Sequence, residues 1–379
     1  MFKRSRSILV LVFLLTMTVA ALSVGTVMAQ DDSGYTDPCV GTDAVATAEA
    51  TEVPDNSNIS FEIILPNPRG DRSFIDSAAA GAERAIAELG VKGTIVETAG
   101  TAEHDSAVRR AVQDKPDLII TIAVSPDTVQ EIAEEFPDQK FAAQETPFFN
   151  GVPDLNNLSL YTIYTHENSY LAGIAAGMLS RTKTVGAVGG IEGPGIDHFI
   201  VGFEEGVKSV CTECQLVRAY VGGENPFSDP VRAKELATGL YSQGADILFQ
   251  VAGRSGEGVL EAAKDSGNFA IGVDSNQDDL YPGTIIVSAM KRVDNAVFNF
   301  VKSIVDGTYT PGVTTVGMKE GFAGLSWDVG VCSRTFDANG PEDMVAKLLA
   351  VRKAIDEARA KILSGEIVVT NALEEATSS

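Results

Sequence analysis

Between residues 61 and 305 the chain switches its hydrophobic period again and again, and it does so in two rounds. Apolar runs of strand length fall at 61–65, 94–97, 118–124, 140–144 and 158–164. Longer helical stretches separate them. An alanine-rich segment at 73–89 is closed by Gly90, another helical segment covers 104–113, and a third starts with Ser125 as cap and Pro126 in the first turn. Short buried strands that alternate with helices indicate a parallel α/β sheet.

The pattern then restarts. Helices are expected at 170–179, 199–210 and 230–242, the last preceded by Asp229, with strands at 184–189, 216–221, 247–252, 269–273 and 284–289. Later come a helix at 295–305, a strand at 314–318 and a long helix at 342–363. The expected architecture is α/β: two doubly wound parallel-sheet lobes joined by a hinge. Lobe 1 takes 59–165 plus about 290–322, and lobe 2 takes 166–289 plus about 323–379. A chain that crosses repeatedly between two lobes is built to close around a ligand.

The N-terminus reads as a targeting segment. Lys3, Arg4 and Arg6 precede an uncharged stretch at 8–24, and Val27-Met28-Ala29 resembles a cleavage site. Residues 1–29 are thus a signal peptide or an uncleaved anchor, and the body of the chain is expected outside the cytoplasm. Residues 30–58 are acidic and poor in apolar groups, as a flexible linker is. Four cysteines in an exported chain suggest two disulfides: Cys211 with its near neighbour Cys214, and by default Cys39 with Cys332. A net charge of −23 disfavours nucleic acid and anionic membranes as partners. Only three histidines are present, none spaced with the cysteines as ligands, so neither a metal site nor a cofactor is expected.

In open parallel sheets, ligands sit beyond the carboxyl ends of the strands. Several polar groups gather at such ends here. Gly70-Asp71-Arg72-Ser73-Phe74 follows the first strand and opens the first helix. Asp71 there is either a hydrogen-bond acceptor for a ligand or a helix cap, Ser73 caps equally well, and Phe74 is either a stacking ring or a core residue. The strand at 247–252 carries Phe249 and runs into Gly253 and Arg254, the next ends in Asp274, and Lys291 follows the third. A carboxylate at Asp274 has two oxygens, enough to accept from two neighbouring hydroxyls. Together these residues offer an aromatic face, a glycine backbone, a carboxylate and an ammonium, which suits recognition rather than catalysis.

Enzyme signatures are weak. The glycines at 189–195 do not follow the dinucleotide order, and Glu192 among them repels a pyrophosphate. The sequence contains neither a phosphate-loop lysine motif nor a nucleophile elbow.

These motifs also carry a resemblance. The Gly70-to-Phe74 segment, Ser169-Tyr170-Leu171-Ala172-Gly173, Val185-Gly186-Ala187-Val188-Gly189-Gly190, Phe249-Gln250-Val251-Ala252-Gly253, Ile271-Gly272-Val273-Asp274-Ser275 and Met290-Lys291-Arg292-Val293-Asp294 are similar, in matching order, to the basic-membrane-protein family. The resemblance implies a type I periplasmic-binding-protein fold and an extracytoplasmic solute-binding component of an ABC importer. It implies a monomer that binds a small molecule and docks on a membrane permease. In the nucleoside-binding branch two phenylalanines sandwich the base, which implies Phe74 and Phe249 here. The resemblance likewise implies Asp71 toward the base, Asp274 and Lys291 toward the ribose, and the Gly253 backbone against the ligand. A purine nucleoside is therefore the favoured ligand. The alternatives are a sugar or signalling molecule on the same fold, a sensory receptor, and a secreted nucleosidase. The chain departs from the family at Arg254, where glycine is usual, at Ala123-Val124-Ser125, which lacks an aromatic, and in having no lipid-anchor cysteine.

Overall fold

Each lobe is built on one sheet of six strands, and the two sheets share a strand order. The computed structural model describes residues 35–39, 53–148, 151–328 and 330–377. The expected signal or anchor segment lies outside the described residues.

The first lobe begins with β1 (Ser60–Leu65), α1 (Phe74–Leu89), β2 (Lys92–Glu97), α2 (His104–Asp114), β3 (Leu118–Ile122), α3 (Pro126–Glu135), β4 (Phe141–Gln144) and β5 (Leu158–Ile163). The chain crosses to the second lobe at Tyr164 and Thr165. There it forms α4 (His166–Leu179), β6 (Thr184–Gly189), α5 (Pro194–Val210), β7 (Gln215–Tyr220), α6 (Pro230–Ser242), β8 (Ile247–Val251), α7 (Gly256–Ser266), β9 (Phe269–Asp274) and β10 (Ile285–Lys291). It returns through Arg292 to α8 (Val293–Val305) and β11 (Gly312–Val316), and crosses again to β12 (Ala323–Leu325), α9 (Thr335–Asn339), α10 (Glu342–Val345), α11 (Leu348–Ser364) and α12 (Ala372–Thr377).

The sheet orders are β2-β1-β3-β4-β5-β11 and β7-β6-β8-β9-β10-β12. All pairs are parallel except β10 with β12. Each sheet is covered on both faces, which is why its inner strands are apolar throughout. In lobe 1, α1 and α8 cover one face, with Ile63, Ile120, Val297 and Phe300 in the core between them. Val108, Ile119 and Ile132 fill the other face, under α2 and α3. In lobe 2, α4, α5 and α11 cover the face that holds Phe203, Phe249 and Ile271. Fully burying one such side chain contributes about 1.5–3 kcal/mol.

Small residues set how closely the first two helices of lobe 2 approach. A methyl built on Gly173 of α4 would lie 2.0 Å from the Phe203 carbonyl oxygen, and one on Gly206 of α5 equally close to that of Tyr170. This contact fixes the middle of α5 against α4, with Phe199 buried in the same core.

Both expected disulfides form, Cys211–Cys214 and Cys39–Cys332. The second one corrects the linker reading for part of its length. Asp37 is buried, pairs with Arg334 at 2.8 Å and lies 3.5 Å from Arg352, so this segment is docked on lobe 2. A disulfide and a buried ion-pair cluster outweigh the local bias of an apolar-poor sequence. The long helix expected at 342–363 is broken between α10 and α11, and α5 starts at Pro194, earlier than expected.

Candidate functional site

The two lobes face each other with the carboxyl ends of their strands, and the backbone is strained along that line. Arg72, Ala123, Glu145 and Asp274 all have left-handed φ, at 50°, 50°, 54° and 64°. Ala123, Glu145 and Asp274 lie at or one residue past the end of β3, β4 or β9, and Arg72 lies in the loop that leads from β1 into α1. Such conformations cost about 1–3 kcal/mol for residues with a Cβ and gather at ligand clamps.

Asp71 and Asp274 are both buried, but their partners differ. Asp71 accepts three backbone N–H groups, from Ser73 at 3.0 Å, Ile75 at 2.9 Å and Asp76 at 3.0 Å. It therefore holds the first turn of α1, satisfying donors that a helix start leaves open. Burial pushes its pKa up, and these three donors oppose the shift. Asp274 accepts from the Ser73 hydroxyl at 2.5 Å, a bond from one lobe to the other. Its pKa is pushed up to about 6 by burial, against the opposing effects of Lys291 and Ser73.

More bonds clasp the same two segments. Ser275 Oγ donates to the Ser73 carbonyl at 3.2 Å, and Gln277 Nε2 to the Arg72 carbonyl at 3.1 Å. The Gln277 amide is held from its other side: its Oε1 accepts from Gln250 Nε2 at 2.8 Å and from the Val273 N–H at 3.0 Å. Lys291 Nζ lies 2.6 Å from Glu145 Oε2, again across the lobes, and stands 5.7 Å from the Phe74 ring centroid and 5.2 Å from that of Phe199. These distances are within the range of cation–π attraction. Gln144, fully buried beside Glu145, has a carboxamide with no protein partner among the described residues.

Phe74 is half-buried at the start of α1. Phe249 stands elsewhere. It is 0% exposed, lies level with Ala187 and Ile271 in the sheet, and packs 5.3 Å from Phe203. The face of the strand on which it sits turns it into the lobe 2 core, so the aromatic face expected from it is absent from the cleft.

Another phenylalanine, missed in the sequence, lies against the glycines of lobe 2. Phe227 is half-buried in the loop between β7 and α6. A methyl built on Gly190 would lie 2.2 Å from its ring, and one on Gly253 3.6 Å from its Cβ. Buried Ser255 fixes that loop, donating to the Pro226 carbonyl and accepting from the Asp229 N–H, both at 2.8 Å. The signal was a lone aromatic in a polar loop after a strand, the setting Phe74 has in lobe 1. Arg254 is exposed at the cleft edge, and Glu257 feels both Arg254 and Arg72 of the opposite lobe.

The cleft thus gathers Asp71, Ser73, Phe74, Gly253, Asp274 and Lys291, adds Glu145, Phe199 and Phe227, and leaves Phe249 out. Comparison with known proteins agrees with its form. The family model described as ABC transporter substrate-binding protein PnrA-like (Bmp) matches residues 59–371. The chain belongs to the Bmp family. Basic membrane protein A1 of Borrelia garinii subsp. bavariensis is 30% identical over 312 residues, covering 81% of this chain and 87% of that protein. An uncharacterized lipoprotein of Pyrococcus abyssi is 31% identical over 307 residues, 77% of this chain and 73% of its own. An ABC transporter solute-binding protein of Aeropyrum pernix superposes with a TM-score of 0.72 at 28% identity, covering 84% of this chain and 96% of that structure. The Bmp-family chain thus has the type I periplasmic-binding fold. Substrate-binding proteins of this kind bind small ligands and deliver them to ABC permeases.

Proposed function

We propose that this Bmp-family chain is the extracytoplasmic receptor of an ABC importer and that its cleft closes, as a monomer, over a purine nucleoside. The observation that carries the reading is Asp274. Its carboxylate ends an inner strand, is buried, accepts from a serine of the opposite lobe and lies within electrostatic reach of Lys291. Two acceptor oxygens in that setting suit a vicinal diol, with charge-assisted bonds contributing about 1.5–3 kcal/mol each. Phe74 from lobe 1 and Phe227 from lobe 2 are the half-buried rings for a planar base, and base-on-aromatic stacking contributes about 1–3 kcal/mol. Arg254 borders this space, and Asp71 supports the helix turn that presents Phe74.

A thermal-shift panel of nucleosides, free bases, nucleotides and sugars tests the reading. A purine nucleoside at 100 times its dissociation constant is expected to stabilise the fold by about 2.7 kcal/mol. A shift with sugars and none with nucleosides overturns the ligand class. Release of hypoxanthine from inosine by the purified chain overturns the receptor reading in favour of a nucleosidase.

A further inference from the structure

Glu145 takes part in the cleft without having stood out in the sequence. It follows the last residue of β4 with a left-handed φ of 54°. That backbone turn carries its carboxylate to the lobe boundary, where Oε2 lies 2.6 Å from Lys291 Nζ and Oε1 accepts from the Ile163 N–H at 3.3 Å. Lys291 is 3% exposed and is the only buried lysine among the described residues. Its ammonium stands 5.7 Å from the Phe74 ring centroid and 5.2 Å from that of Phe199, within electrostatic reach of Asp274.

An ammonium in that position, left to itself, is a receptor for an anionic group on the ligand. In a site shielded from water, a single charge changes affinity far more than at a surface. Glu145 removes this option by pairing with the ammonium from the opposite lobe. Stability alone does not account for the arrangement. Buried ion pairs recover little beyond their desolvation cost, and this one also needs a strained backbone. With Asp274 within electrostatic reach, two carboxylates face the one ammonium.

We propose that Glu145 is a specificity-determining residue: by pairing with Lys291 across the cleft it cancels the site's buried cation and restricts the ligand to solutes that are uncharged where they face Lys291. The inference rests on the nucleoside reading of the same cleft, with the sugar end toward Asp274 and Lys291. Transport of the 5′-phosphorylated or 5′-carboxylated forms of the ligand is thereby excluded at the binding step.

The test is calorimetric titration of the wild-type chain, Glu145→Gln and Glu145→Asp with adenosine and with adenosine-5′-carboxylate. The wild type is expected to prefer adenosine by roughly a hundredfold or more, as one like-charge contact at low effective dielectric implies. Glu145→Gln is expected to lower that ratio at least about tenfold, chiefly by tighter carboxylate binding, and Glu145→Asp to keep the wild-type preference. An unchanged ratio in Glu145→Gln, with adenosine still bound, overturns the inference alone. So does loss of both ligands from a Glu145→Gln chain that still melts cooperatively, because Glu145 would then hold the ligand or the closure and not select charge. A wild-type chain that binds neither compound overturns the nucleoside reading itself.

Discussion

The two lobes repeat one strand order, yet the buried aspartates Asp71 and Asp274, one from each lobe, are used differently. In lobe 1, Asp71 follows β1 and turns inward to three backbone N–H groups at the start of α1. In lobe 2, Asp274 ends β9 and reaches out to a serine of the other lobe. Burial raises both pKa values, but only the first carboxylate is surrounded by local backbone donors. The contrast teaches that burial and an acidic side chain do not by themselves mark a ligand group. What separates the two is where the hydrogen bonds go.

The aromatic residues divide in the same way, and their substitution gives the largest expected effects. Phe249→Ala is expected to lower unfolding stability by about 3–5 kcal/mol, because it opens a cavity in the lobe 2 core, and chemical denaturation measures it. Phe74→Ala is expected to leave that stability nearly intact while weakening nucleoside binding by about 1–3 kcal/mol. If Phe249→Ala folds normally and loses the ligand, the assignment of the two rings is reversed.

Asp274→Asn comes next. Asparagine tolerates the left-handed backbone, so the strand end survives and the carboxylate charge goes. Nucleoside affinity is expected to fall by roughly a hundredfold, equivalent to about 3 kcal/mol lost from two charge-assisted bonds. A thermal shift equal to that of the wild type contradicts the role of Asp274. Asp71→Ala gives the opposite profile. Loss of the cap is expected to lower stability by about 1–2 kcal/mol, seen as an earlier denaturation midpoint, with affinity reduced less than in Asp274→Asn.

The two-round alternation of short apolar runs and helices carried the doubly wound fold, because both faces of each sheet are covered and the inner strands had to be apolar throughout. The strand ends at Asp274 and Lys291 were legible for the same reason. Phe249 misled because a fully buried strand shows no alternation, so nothing in its sequence says which face a side chain takes. Phe227 escaped because its position depends on Gly190 and Gly253 being near in space but distant in sequence. The cross-lobe pair of Glu145 and Lys291 lay beyond reach on the same ground. The start of α5 was placed late because glycines 193 and 195 flank Pro194 and resemble a loop, although proline suits a first helical turn. β12 has three residues and no period to read.

The smallest expected effect concerns pH, and it turns on the same pair of aspartates. Burial pushes the Asp274 pKa up to about 6, well above the ordinary value of 3.8. Between roughly pH 4 and 6 the folded chain therefore holds a proton at this group that the unfolded chain has released. Stability from Asp274 is present at the acid side of that window and is lost as pH rises through it. Binding runs the other way, since a diol is held by the ionised carboxylate. Nucleoside affinity is expected to be level above pH 7 and to weaken as pH falls below 6, approaching tenfold per unit for one required deprotonation. Calorimetry at pH 5 and 7.5 reads the difference, and Asp274→Asn is expected to flatten it. A pH dependence that survives in Asp274→Asn but disappears in Asp71→Asn moves the ligand contact to lobe 1, because it would mean that the carboxylate closed off by three backbone donors is the one that titrates on binding.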